Sequence, residues 1–308
     1  MRQPGSLAPV VLKFGGELLE DSQRVAALAS TIGALTRRKP VVPLVIVHGG
    51  GREIDASLAR AGIEKRQVDG LRITDAPTLD IVVGVLAGLI NTRFVAMLCA
   101  AGVRAVGLTG ADAGVGRVKA AAPHRSTTGV TVDLGRVGEP VGTDAPALLI
   151  DLCRKGYVPV ISSIGASREG LLFNVNADTL AAHLAGRLKS RRLIIAGATA
   201  GVLDREGSTI ADVDVRGVMR LVKEGAATAG MVAKLAACRN AIASGAREVF
   251  VADGKDLAGL TVLARHGRAA GAGKSTRIRA ATRARRVPSD TAGRNGKPAT
   301  DRKRNIAS

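Results

Sequence analysis

The chain has no tryptophan, one tyrosine and four phenylalanines among its 308 residues. So few aromatic rings leave no platform for base stacking, which argues against single-stranded nucleic-acid recognition despite a formal net charge of +19. Cysteine is equally scarce. Cys99, Cys153 and Cys238 lie far apart, and the close C-x-x-C spacing that metal sets and redox pairs need is missing. The N-terminus carries no apolar segment followed by a small-residue cleavage site, so the three thiols read as reduced packing residues of a cytoplasmic protein. No uninterrupted apolar run reaches about 18 residues, and a transmembrane helix is excluded on that ground.

What is present is an ample apolar supply, 46% of residues, enough for a sizeable core. The positive charge is unevenly spread. Residues 280–308 hold eight basic side chains against two acidic ones, a net +6, with only Val287 and Ile306 as large aliphatics. Such a stretch buries too little surface to offset its ordering entropy. It is read as a basic disordered tail, solvated, with at most weak contacts to nucleic acid or acidic surfaces.

Short β-branched runs alternate with stretches of helical period. Residues 10–14, 42–47, 104–107, 158–162, 192–196 and 248–251 read as strands. Residues 24–37, 52–61, 78–101, 145–155, 177–189 and 231–244 read as helices. This alternation predicts an α/β fold, a three-layer αβα sandwich around a mainly parallel central sheet. Residues 114–142 break the rhythm and resemble a lid or hairpin insertion. The expected organisation is an N-terminal lobe over 1–165, a C-terminal lobe over 166–279, and the tail over 280–308.

In open α/β sheets ligands gather at the carboxyl ends of the strands. There the first strand ends in Lys13-Phe14-Gly15-Gly16, and the second in His48-Gly49-Gly50-Gly51 just before a helix. Consecutive glycines admit an anion close to the backbone, and a helix N-terminus adds free N–H groups and a positive dipole. A turn glycine is the plainer reading of each cluster alone; two such turns, one led by a lysine, carry more weight. His48 reads as structural. Arg72, in GLRIT, offers a two-pronged carboxylate contact, with a surface salt bridge as the plainer reading. In NVNAD, alternation places Asn174 and Asn176 on one face, while Asp178 is suited to orient a cation; simple helix capping is the alternative. Lys234 opens a later helix and, in isolation, reads as solvated.

Together the segments VLKFGG, VIVHGGG, DGLRITDAPTLD, GLINTR, VPVISSIG, EGLLFNVNAD and GMVAK resemble the amino acid kinase family over residues 10–278. The GLRIT and NVNAD segments resemble the branch acting on N-acylated acidic amino acids. The resemblance implies that Lys13 and Lys234 stabilise a transferring phosphoryl group and that Asp178 holds them in place. It implies substrate contacts from Gly50, Gly51, Arg72, Asn174 and Asn176. Gly15 and Gly16 would touch phosphates, and Ala226, Ala227 and Thr228 would line a nucleotide pocket. ATP with Mg²⁺ held mainly by its phosphates, a homodimer formed by the N-terminal half, and phosphorylation of the side-chain carboxylate of N-acetyl-L-glutamate in arginine biosynthesis are the implied cofactors, partner and reaction.

Two positions depart from the family pattern: Ala198 stands where an aspartate is frequent, and Ala229 precedes Gly230-Met231. Both bear on the nucleotide. Nine residues before Val10 are too few for the extra helix of arginine-inhibited members, so no arginine feedback is expected. An aminoadipate derivative or another N-acylglutamate is the alternative substrate, and a catalytically impaired binding protein the alternative of a different class. Gly271-Ala272-Gly273-Lys274-Ser275-Thr276 looks like the end of a P-loop, but Arg268 occupies the position where the pattern needs its first glycine.

Overall fold

All five residues of the first strand are buried, and their parity decides which side of the sheet each one faces. Val10, Leu12 and Phe14 pack into one apolar cluster, and Val11 into another on the opposite face. In this computed structural model, which describes residues 8–223, 229–267 and 275–280, the two clusters fill the spaces above and below a single sheet.

The chain runs β1 (Val10–Phe14), α1 (Ser22–Arg37), β2 (Leu44–His48), α2 (Gly51–Arg60), and a short hairpin of β3 (Gln67–Val68) and β4 (Leu71–Arg72). A long helix follows, from α3 (Ala76–Val83) through a π-helical segment (Gly84–Ile90) into α4 (Asn91–Ala100), leading to β5 (Ala105–Thr109). The irregular interval holds β6 (Val118–Ala120), β7 (His124–Arg125), β8 (Thr131–Val132) and β9 (Gly138–Pro140). Then come α5 (Ala147–Arg154), β10 (Val158–Ser162), the hairpin β11 (Ile164–Ala166) and β12 (Leu172–Asn174), α6 (Ala177–Arg187) and β13 (Arg192–Gly197). The described chain closes with β14 (Asp212–Asp214), α7 (Val215–Lys223), α8 (Ala229–Ala243), β15 (Val249–Asp253), α9 (Leu257–His266) and β16 (Ser275–Arg279).

The main sheet has the order β14-β16-β15-β13-β1-β2-β10-β5. It is parallel from β15 to β5, and β16 pairs antiparallel with β15 while β14 runs parallel to β16. Helices α5, α6 and α8 cover one face, and α1, α4 and α9 the other, the three-layer arrangement expected. Strand β1 lies between β2 and β13, so the chain leaves it to one side first and returns to its other side later. That is the switch point at which a crevice opens over the strand ends.

Several expectations need correction. Cys99 is exposed on α4, whereas Cys153 and Cys238 are buried packing residues. Helices α7 and α9 and strand β14 have no counterpart among the elements expected from the sequence. The long helix shows that the absence of an uninterrupted apolar run does not by itself exclude a membrane span: Ala76–Ala100 is one continuous 25-residue helix with an 18-residue window of mean hydropathy 2.0, long and apolar enough to cross a membrane by length and composition. Here its inner side is part of the core, with Leu79, Val82, Leu86, Ile90, Phe94 and Leu98 buried. The expected tail and the P-loop-like stretch 271–274 lie outside the described residues.

Candidate active site

Lys13 has the parity of Val11 and therefore faces α6 and α8, not α1. Along α8, Lys234 lies one turn before Cys238, which is fully buried against the same face of the sheet. Asp178 sits in the first turn of α6, whose N-cap is Asn176; the Asn176 side-chain oxygen accepts from the Thr179 N–H at 3.0 Å. These three placements bring the side chains together. Lys13 Nζ is 2.8 Å from Asp178 Oδ1, and Lys234 Nζ is 3.5 Å from Asp178 Oδ2. The Lys13 contact is an ion pair without good hydrogen-bond alignment.

Burial is the largest influence on the Asp178 carboxyl and works to raise its pKa; the ammonium groups of Lys13 and then Lys234 outweigh it and hold the pKa below the ordinary value. Asp178 is thus a buried anion with a cation at each oxygen.

The two glycine turns sit directly before this triad. A methyl group placed on Gly16 would come within 2.6 Å of the Gly50 Cα, so the turns touch through their α-carbons. Gly50 in turn is pressed by Leu86 and Ile90 of the π segment, leaving no room for a side chain. Glycine at 50 opens α2, whose first-turn N–H groups have no intrahelical acceptor. The strand-end positions Phe14 and His48 are in register, which sets both turns at the same height over the sheet.

His48 is fully buried. Its Nδ1 lies 3.2 Å from the Gly49 carbonyl and its Nε2 3.0 Å from Asn91 Nδ2. Burial lowers its pKa to about 4 against the smaller opposing effect of the Gly49 contact, so the ring is neutral. In that state Nδ1–H donates to Gly49 and Nε2 accepts from Asn91, a structural role matching the sequence reading.

Beside the glycine turns lies a cavity of about 210 Å³ whose lining includes Gly50, Gly51, Arg72, Asn174 and Asn176. Sequence positions far apart in the chain therefore converge on one space. Arg72 is largely buried. Its Nη2 donates to the Gly51 carbonyl at 3.3 Å and pairs with Asp55, which also receives Lys65 at 2.8 Å. Its Nη1 is buried without a protein partner. A buried guanidinium donor left open is costly unless a ligand meets it. Asn174 Nδ2 donates to Thr74 Oγ1 at 3.2 Å, and Thr74 is itself fully buried. Asn176 uses its oxygen as the α6 cap, leaving only its amide N–H groups for a ligand. Two hairpins meet over this region: Asp69 accepts from His124 Nε2 and Thr127 Oγ1, each at 2.8 Å.

Four participants escaped the sequence reading. Asp55, Thr74 and Asn91 act through partners that are remote in sequence, and nothing local marks them. Glu17 follows Gly15-Gly16 directly; a charge at the end of a phosphate-type turn was the available sign. Ala198 is exposed just beyond β13. Ala226, Ala227 and Thr228 lie outside the described residues.

The family model described as amino acid kinase family matches residues 8–253. The chain belongs to the amino acid kinase family. Among members of this family, an acetylglutamate kinase of Dinoroseobacter shibae is 40% identical over 248 residues, covering 80% of this chain and 82% of that protein. One from Symbiobacterium thermophilum is 40% identical over 250 residues, with 80% and 84% covered. Among solved structures, an N-acetylglutamate synthase of Neisseria gonorrhoeae aligns at a TM-score of 0.74 and 24% identity, covering 89% of this chain and 60% of that one. A Giardia lamblia carbamate kinase aligns at 0.62 and 16% identity, covering 89% and 99%. At those identities the two structures establish the shared amino acid kinase fold.

Proposed function

We propose that this chain transfers the γ-phosphoryl group of ATP to the side-chain carboxylate of N-acetyl-L-glutamate, giving the acyl phosphate used in arginine biosynthesis. The observation that carries the reading is the Lys13–Asp178–Lys234 triad at the switch point, with the Arg72 cavity beside it. Relatives named acetylglutamate kinase at 40% identity support the choice of acid.

The acceptor carboxylate is ionised at neutral pH and needs no general base. One of its oxygens forms the new O–P bond as the bond from the γ-phosphorus to the β,γ-bridging oxygen breaks, and ADP leaves with that electron pair. The barrier is charge repulsion and alignment. Lys13 and Lys234 supply positive charge to the phosphoryl oxygens from a preorganised, water-poor position, and the N–H groups of Gly16, Gly50 and Gly51 complete the cradle, whereas Gly15 donates its N–H to the Ala196 carbonyl at 3.1 Å and serves by leaving room for the phosphates. Arg72 Nη1 takes the α-carboxylate of the acid, and Asn174 and Asn176 line its acyl-amide side. Asp178 keeps the two ammonium groups fixed and touches no substrate.

A Mg²⁺ ion held mainly by the nucleotide phosphates would neutralise part of their charge. The residues present fit such a cation, because the half-buried Glu17 brings a carboxylate to the cradle. The N-terminal lobe, residues 1–165, holds the acid with help from Asn174 and Asn176 at the start of the C-terminal lobe, 166–279, which takes the nucleotide.

A second copy of the chain docks on the outer side of the long helix. Gly84, Gly88, Thr92 and Ala96 recur there at four-residue spacing, all exposed, beside the edge strand β5. The small side chains allow a like helix to approach closely in a two-fold contact.

Hydroxamate formation from N-acetyl-L-glutamate and ATP in the presence of hydroxylamine tests the reaction. Product with the glutamate derivative and not with the aminoadipate analogue supports the assignment. Absence of product with either acid overturns it.

A further inference from the structure

Glu17 occupies the short 3₁₀ turn that follows Gly15, between buried Phe14 and buried Leu18. Arg24 Nη1 donates to its backbone carbonyl at 2.9 Å, so the turn is held from behind. The side chain folds back over Gly15: a methyl group on that glycine would collide with the Glu17 carboxylate. A methyl group on Gly197, at the end of the neighbouring strand β13, would lie 3.4 Å from Glu17 Oε1 and 3.6 Å from Lys234 Nζ. The carboxylate therefore stands at the ends of β1 and β13, beside the lysine that reaches Asp178.

Among the described residues no protein group is paired with it: the Glu17 carboxylate takes part in no hydrogen bond or ion pair, and Lys234 pairs with Asp178 instead. Two lysines and two carboxylates converge here, and their formal charges cancel. A triphosphate entering alone meets no net attraction from these four side chains and is repelled by Glu17 at short range. The carboxylate is not required as a base either, since the acceptor is already ionised. Oxygen ligands with free lone pairs suit a hard divalent cation, which typically keeps its phosphate ligands and adds one or two protein carboxylates.

We propose that Glu17 is the residue through which the protein meets the divalent cation of its nucleotide, directly or through a water, and that it thereby selects metal–nucleotide over free nucleotide. This rests on the kinase reading above and names a selectivity residue within it. Glu17 attracts the complex whose cation faces it and disfavours the bare anion, so one side chain acts in both directions.

The test is equilibrium binding of a non-hydrolysable ATP analogue by calorimetry, with and without Mg²⁺, for the full chain and its Glu17→Gln variant. The expected preference of the unaltered chain for the metal complex is roughly tenfold or more. In Glu17→Gln it falls to about threefold or less, mainly because free analogue binds better. The electron paramagnetic resonance line shape of Mn²⁺ in the ternary complex changes as well. Glu17→Ser serves the same comparison if the glutamine variant fails to fold by circular dichroism. An unchanged preference and an unchanged Mn²⁺ spectrum overturn the role of Glu17 while leaving the kinase reading intact. Failure of the unaltered chain to bind the analogue in either form overturns both.

Discussion

Lys13 and Asp178 are equally buried, each 7% exposed, and meet at 2.8 Å. The lysine comes from the central strand and the aspartate from the first turn of α6, so their meeting fixes that helix against β1. Removing one charge from such a pair leaves the other uncompensated in a low-dielectric space.

Asp178→Asn is therefore expected to cost about 3–5 kcal/mol of stability, as measured by urea unfolding. The wild-type acid dependence follows from the lowered Asp178 pKa. Its contribution is complete above the unfolded-state value and is lost as pH falls through the lower folded value. The variant lacks this acid-side loss, and retention of it would show that other carboxylates govern the transition.

Lys13→Ala and Lys234→Ala should each lower kcat by roughly 10²–10³-fold. Circular dichroism reports whether the fold survives, and the hydroxamate assay reads the turnover. A rate within about threefold of wild type for either variant excludes that lysine from phosphoryl stabilisation.

Arg72→Lys retains charge but loses the planar fork, and should raise KM for the acid about tenfold or more with kcat little altered. Asp55→Asn is expected to move KM in the same direction, because Asp55 holds the Arg72 guanidinium. A selective effect on KM for ATP would place Arg72 on the other substrate.

His48 gives a separate pH signature. Its folded pKa of about 4 lies below the ordinary value of 6.5. The neutral-buried contribution is complete above 6.5 and disappears as pH falls toward 4, since the unfolded chain binds the proton first. The slope reaches roughly 1.4 kcal/mol per pH unit within that window. His48→Gln flattens this part of the unfolding-stability curve; an unchanged slope would mean that the ring titrates normally.

Ala96→Glu on the outer face of the long helix should shift the protein to monomer in sedimentation equilibrium. Two like charges would then face each other across the two-fold contact. A dimer of unchanged affinity would place the interface elsewhere.

The sequence made the central strands legible because β1, β2, β10 and β13 are fully buried apolar runs ending beside glycine or small polar residues. Lys13 was legible for the same reason, as a charge inside such a run. Strand β14 was not, since Asp212-Val213-Asp214 is a polar edge with no such pattern. The long helix escaped the membrane criterion because Asp80, Gly84, Gly88 and Asn91 interrupt its apolar run, whereas an average over 18 residues tolerates them. Arg72 could be picked out as a carboxylate binder, but its anchoring by Asp55 depends on a hairpin folding over a helix. Glu17 needed the turn itself, because a side chain that folds back over Gly15, two residues earlier, has no signature in spacing.

The placement of β1 between β2 and β13 has a consequence for how the two seats evolve. Neighbouring strands stand about 4.8 Å apart, whatever their loops do. The glycine turn after β2 and the Gly197 end of β13 therefore keep a fixed separation, with Lys13 midway. The hairpins bounding the acid cavity lie outside that ladder and can change in length or side chain without moving it. On the proposed assignment of the site, acceptor choice is a property of exchangeable trim, while the distance over which phosphorus travels is a property of the sheet.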